Sequence, residues 1–228
     1  MLDDLKQQVC EANRALERHG LVTLTWGNVS GFDRDAGLMV IKPSGVPYAD
    51  LQPEDLVVVD PEGQVVEGDL KPSSDSPTHL VLYRNFDEIG GVVHTHSKHA
   101  TMFCQACLEL PCMGTTHADH FYGAVPLARA LVPEEIEEDY EGHTGNVIVE
   151  RFAELDPVAV PGVLVAHHAP FTWGPTVGKA LDNSIALEAC AEIAVGTMQL
   201  HPKDLHFPGH VLDKHYRRKH GPDAYYGQ

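Results

Sequence analysis

The chain of 228 residues has no run of roughly 20 apolar residues, the length a bilayer demands, so the sequence gives no membrane-spanning helix. Positive charge is scarce as well. Sixteen Lys and Arg stand against 33 Asp and Glu, a formal net charge of −17, and such a surface repels nucleic-acid phosphates and anionic membranes. Neither is an expected partner, and any anionic substrate must be held by a local pocket. Low-complexity linkers, internal repeats and composition breaks are missing, which argues for one domain over residues 1–228, and 43% hydrophobic residues suffice for its core. The first twenty residues are acidic and amphipathic, unlike a secretory leader, and the expected compartment is the cytoplasm. Cysteines number only five, an odd count that fits reduced thiols better than a disulfide framework. Cys104 and Cys107 sit in an apolar helical stretch and read as packing thiols.

What is present is patterned. Leu2, Leu5, Val9, Ala12 and Leu16 recur at helical spacing and Gly20 follows as a C-cap. Short β-prone segments are predicted at 21–25, 38–41, 56–59 and 64–67, separated by turn residues. Beyond Ser76-Pro77 the pattern alternates: helix 77–86, strand 91–96, helix 97–108, a polar and aromatic loop over 111–127, helices over 133–140 and 144–154, strand 162–166, and a long helix 176–200. The predicted fold is one α/β domain, a central, mostly antiparallel sheet flanked by helices on both faces.

Histidine is abundant, 15 in all. In His94-Thr95-His96 two imidazoles fall two residues apart on a predicted strand, which puts both on one face and lets them grip one ion. His167-His168 closes a second apolar strand, and three protein ligands with one open position are what a catalytic zinc requires. The blander alternative is a pair of strand histidines meeting solvent. His79 and His99 are further possible ligands, although a lone helical histidine is more often solvated.

Three turns form a candidate phosphate cradle: Thr25-Trp26-Gly27-Asn28, Lys42-Pro43-Ser44-Gly45 and Ser73-Ser74-Asp75-Ser76-Pro77. Glycine lets backbone amides approach a ligand, Lys42 supplies a fixed cation, and the third turn caps a helix at its positive end. For proton transfer the sequence offers Asp75, Asp119, Tyr225 and Tyr226, none diagnostic by itself.

These segments (LVTLTWGNVS, IKPSGV, KPSSDSPTH, GGVVHTHSKHA, GTTHADHFYG, PGVLVAHHAPFTWG and LDKHYRRKHGPDAYYGQ) resemble the class II aldolase and adducin family along essentially the whole chain, its sugar-phosphate epimerases above all. The resemblance implies a three-layer α/β/α fold and zinc, or another divalent cation, held by His94, His96 and His168 with Asp75 at the acidic position beside it. It implies phosphate contacts from Gly27, Asn28, Lys42, Ser44, Gly45, Ser73 and Ser74. Asp119 and Tyr226 would be the acid/base pair, with His215 and Arg218 near the substrate, all reaching into a neighbouring subunit of a homotetramer. The implied reaction interconverts L-ribulose 5-phosphate and D-xylulose 5-phosphate by cleaving and re-forming the C3–C4 bond, in the catabolism of arabinose or another pentose. The alternatives are a metal-dependent sugar-phosphate aldolase of the fuculose-phosphate type and a non-catalytic, adducin-like interaction module. One departure stands out: the epimerases carry His-x-His before the Pro-Phe, whereas this chain has Ala166-His167-His168, so His168 is assigned by its spacing to Pro170 and His167 is expected to face away.

Overall fold

The computed structural model describes residues 2–202 and 206–226. Helix α1 (Asp3–Arg18) lays its apolar stripe on the sheet, and Gly20 follows with the positive φ of 68° that such a stop needs. Strands β1 (Gly27–Asp33), β2 (Leu38–Ile41), β3 (Val57–Val59) and β4 (Val65–Glu67) form an antiparallel meander. The sequence then crosses through α2 (Ser76–Asn85) to β5 (Gly91–Thr95), which pairs antiparallel with β1 and so enters the middle of the sheet. Helices α3 (Lys98–Ala106) and α4 (Thr115–Ala118), the short strand β6 (Leu127–Ala128) and α5 (Pro133–Arg151) precede the hairpin of β7 (Gly162–Val165) and β8 (Pro170–Gly174). Helices α6 (Val177–Leu200) and α7 (Gly209–His220) complete the seven helices of the described residues. The sheet order is β4-β3-β2-β1-β5-β8-β7-β6, antiparallel throughout except between β6 and β7.

Both sheet faces are buried, and the period of two sorts the strand residues between two cores. Met39, Ile41, Val57, Val59 and Val92 join the core that includes Leu80 and Tyr83 of α2 and Val147 and Ile148 of α5. Val40, Val58 and Val93 join the other, beneath Val9 and Leu16 of α1 and Val177 and Ala180 of α6. Alternation places His94 on the face of Val92, the α2 side. No helix of the described residues is long and apolar enough to cross a membrane.

The structure departs from the sequence reading at several points. Residues 21–25 form no strand. Leu24 is exposed with a φ of 53°, a left-handed backbone that cannot pair, and β1 starts only at Gly27. The two helices predicted over 133–140 and 144–154 are there, but they meet at a break at Asp139 (φ −161°, ψ 84°) rather than over 141–143, and its carboxylate accepts the Gly142 N–H as an internal N-cap. Strand β8 was not expected because Pro170 and Gly174 look like punctuation, and α7 because its charge hides its period. Cys104 is buried as expected, but Cys107 is exposed, because the helix ends there in a left-handed C-cap.

Candidate active site

Three turns and two strand ends meet on one cleft of about 490 Å³, lined by Thr25, Trp26, Gly27, Asn28, Lys42, Pro43, Ser44, Gly45, Ser73, Ser74, Asp75, His94, His96 and His168. All three predicted turns and both histidine clusters therefore share a single cavity. Gly27 is required by this arrangement: its φ is 122°, and an added Cβ would fall 2.7 Å from the His94 carbonyl oxygen. That close approach registers Asn28 directly opposite His94, and His94 opposite Phe171 on β8.

His94, His96 and His168 each offer a ring nitrogen within 4.8 Å of the others, and His94 Nε2 lies 3.2 Å from His96 Nε2. Burial, reinforced by the neighbouring imidazole of His94, lowers His96 to a pKa of about 4 and His168 to about 3, so both rings are neutral near pH 7 with lone pairs free. The Nδ1–H of His94 donates to the Pro170 carbonyl at 3.0 Å, which holds the ring with Nε2 toward His96, and Phe171 stacks on the ring at 4.1 Å. His168 buries Nδ1 without a hydrogen-bond partner. Clustered neutral imidazoles, one of them orphaned, fit a divalent cation better than they fit packing.

Asp75 lines the same cleft but is not among the residues whose ligand atoms converge. Its Oδ2 accepts from Asn28 Nδ2 at 2.6 Å, and Asn28 Nδ2 also reaches Ser73 Oγ at 3.0 Å. Burial pushes the carboxyl pKa up, but the imidazoles of His94 and His79 and the Asn28 hydrogen bond outweigh it, and the group stays below its usual value. Lys42 is 2% exposed; its Nζ donates only to the Pro43 carbonyl at 3.1 Å and sits 5.0 Å from the Tyr48 ring. No carboxylate among the described residues neutralises this ammonium, and burial lowers its pKa to about 8. A buried cation without an anion is costly, so the pocket is built for an anionic ligand.

The remaining predicted residues gather elsewhere. Asp119 Oδ1 accepts from His215 Nδ1 at 3.1 Å and Arg218 Nε at 3.0 Å, its Oδ2 accepts from the same guanidinium at 2.8 Å, and Arg218 lies 4.2 Å over the Tyr226 ring. None of these four lines the cleft of its own chain. His79 is fully buried rather than solvated and stands outside the converging group; its Nδ1 shares a buried network with Ser30 and, through it, Tyr83, and its Nε2 is buried without a partner. His99 pairs with Glu188 at 2.8 Å. His167 occupies the turn between β7 and β8 with a φ of 61° and meets Cys107 Sγ at 3.4 Å, away from the cleft lining.

Three residues escaped the sequence reading. Pro170 and Phe171 support His94, and strand alternation over 170–174 was the signal that could have found them. Tyr140 lies 5.9 Å from the His168 ring, brought there by the break at Asp139, which no spacing announces.

A model of the class II aldolase and adducin N-terminal domain family matches residues 7–195. Among solved structures, an L-fuculose 1-phosphate aldolase superposes with a TM-score of 0.79 at 26% identity, covering 94% of this chain and 95% of that one. The YgbL protein of Escherichia coli gives 0.73 at 26% identity, covering 92% and 97%. The L-fuculose-1-phosphate aldolase of Thermus thermophilus shares the fold, with a TM-score of 0.70 at 23% identity over 89% and 98%.

Proposed function

This chain belongs to the class II aldolase and adducin family, and we propose that it is a sugar-phosphate enzyme of that family, interconverting L-ribulose 5-phosphate and D-xylulose 5-phosphate by breaking and re-forming the C3–C4 bond. The observation that carries this reading is the pairing, in one cleft, of an unneutralised buried Lys42 with three converging imidazoles. One end of the cleft suits a phosphate and the other the oxygens of a ketose.

Lys42, Ser44, Ser73, Ser74 and Asn28, with the amides of Gly27 and Gly45, would hold the phosphate. His94, His96 and His168, with Asp75 beside them, would hold a divalent cation, zinc in this proposal. That cation, when bound, supplies Lewis-acid stabilisation of negative charge on ketose oxygen. The epimerised carbon is not adjacent to the carbonyl, so direct deprotonation at C4 gains no stabilisation and cleavage is the economical route. A base must take the C4 hydroxyl proton, and an acid on the opposite face must return one to the aldehyde oxygen after that fragment has turned over. Asp119 and Tyr226 are assigned these roles. Their separation from their own cleft supports an arrangement in which they serve the site of a neighbouring subunit in a homotetramer. His215 and Arg218 keep Asp119 ionised and aimed.

The similarity to an L-fuculose 1-phosphate aldolase favours a second reading, in which the fragments leave. A coupled assay of L-ribulose 5-phosphate separates the two. Formation of D-xylulose 5-phosphate far faster than free dihydroxyacetone supports the epimerase, and the reverse supports the aldolase.

A further inference from the structure

His94 is held by β8, but His96 has no such support. Strand β5 ends at Thr95, which pairs with Gly27, so His96 lies one residue beyond the last rung of the sheet. Among the described residues its ring hydrogen-bonds only through Nε2, to His94 at 3.2 Å. Where that ring points is therefore decided by the backbone on either side of it. Ser97 is the N-cap of α3, and the Thr101 N–H donates to its carbonyl at 3.0 Å. The amides ahead of Thr101 have no partner within the helix. A serine at this position usually accepts from them, yet the Ser97 hydroxyl does not.

A carboxylate from another helix takes its place. Glu188 lies midway along α6, half-buried, on a stretch anchored in the core by Leu187 and Ala191. Its Oε1 accepts the His99 N–H at 2.9 Å and the His99 Nδ1–H at 2.8 Å, and its Oε2 accepts the Ala100 N–H at 3.0 Å. The Ser97 hydroxyl donates to the same carboxylate. Burial pushes the Glu188 carboxyl pKa up, but the hydrogen bonds from Ala100, His99 and Ser97 outweigh it, and the group stays ionised at the positive end of α3. The segment that leaves His96 is thus tied to α6 at three of its first four residues.

We propose that Glu188 is a positioning residue of the metal centre, which caps α3 from α6 and thereby fixes His96 toward His94 and His168. The inference rests on the reading of those three imidazoles as the metal site; Glu188 itself lies outside the cleft lining. Both of its oxygens are needed. Glutamine keeps one acceptor oxygen and turns an amide NH2 toward an N–H at the other, so the start of α3 is released on one side while the side-chain volume is kept.

The test is a titration of the metal-free full chain with cobalt(II), read from its visible absorption, in the unaltered protein, Glu188→Gln and Arg34→Met. Arg34 donates to the carbonyls of Tyr83, Phe86 and Ile89, so its replacement loosens the fold through hydrogen bonds outside the cleft lining. Glu188→Gln is expected to bind cobalt about tenfold more weakly and with a displaced absorption band, and Arg34→Met to match the unaltered chain in both. Equal affinity or an unmoved band in Glu188→Gln overturns the role of Glu188. An equal loss in Arg34→Met does the same, because it marks the effect as general loosening. No cobalt band in the unaltered chain overturns the metal centre itself, and this inference with it. Should Glu188→Gln not fold, Glu188→Asp, which keeps the charge and withdraws it by one methylene, carries the same comparison with the same expected and contrary results.

Discussion

His94 and Pro170 are joined across the β5–β8 pair by a hydrogen bond of 3.0 Å from the ring Nδ1 to the proline carbonyl. A carbonyl can only accept, so Nδ1 carries a proton and the ring is held with Nε2 toward His96 and His168. The ring nitrogen that His94 presents to the other two imidazoles is thus set by a strand register.

Support for that ring should be separable from ligation. Phe171→Leu removes the stacked ring while keeping an apolar β8, and is expected to weaken divalent-metal affinity about tenfold by competition with a chelating dye. His94→Asn is expected to abolish it. Equal affinity in Phe171→Leu and the unaltered chain would show that stacking does not orient the ligand.

Lys42 should trade stability for binding. Burial lowers its folded pKa to about 8 from an ordinary value of 10.5, so the folded state holds the proton less well than the unfolded chain. The penalty is fully present below pH 8 and is relieved as pH rises from about 8 to about 10.5. Lys42→Met is therefore expected to raise thermal stability at pH 7, by about 1–3 kcal/mol, while weakening inorganic phosphate binding. In the unaltered chain phosphate affinity should fall above about pH 8, and calorimetry across roughly pH 6–10 reads it. A flat profile would remove Lys42 from the phosphate site.

Asp119 should hold α7. Burial raises its carboxyl pKa, but hydrogen bonds from Arg218 and His215 outweigh that and depress it. The stabilisation is present above the ordinary carboxylate pKa and is lost as pH falls through the depressed folded value. Asp119→Asn leaves the cations of α7 without their carboxylate, at a cost on the order of 1–3 kcal/mol. Amides of residues 209–220 are expected to lose protection, relative to their intrinsic exchange rates, in this variant at pH 7, and in the unaltered chain as pH falls through the depressed Asp119 pKa. Unchanged exchange in both would mean that other contacts anchor the helix.

Tyr226→Phe keeps the ring beneath Arg218 and deletes only the hydroxyl. Its metal content should match the unaltered chain while L-ribulose 5-phosphate turnover drops by at least about a hundredfold. Near-normal turnover would remove Tyr226 from proton transfer.

Much of this was legible in the chain. The period-two strands and their turns gave β2, β3, β4, β5 and β7, and the cleft was readable because glycine, serine and histidine act there through positions fixed by turns and strand ends. What escaped depended on tertiary context. The β-prone residues 21–25 lost their strand to a left-handed Leu24, and β8 hid between a proline and a glycine that a hairpin partner makes acceptable. Tyr140 reaches His168 only because Asp139 interrupts α5. The exposure of Cys107 follows from where α3 ends rather than from its apolar neighbours.

The most direct measurement is elemental analysis after equilibrium dialysis against zinc, comparing the unaltered chain with the triple variant His94→Asn, His96→Asn, His168→Asn. One ion per chain in the former and none in the latter is expected. Equal metal content in the two proteins, at any stoichiometry, would contradict the assignment of these three imidazoles as the metal centre.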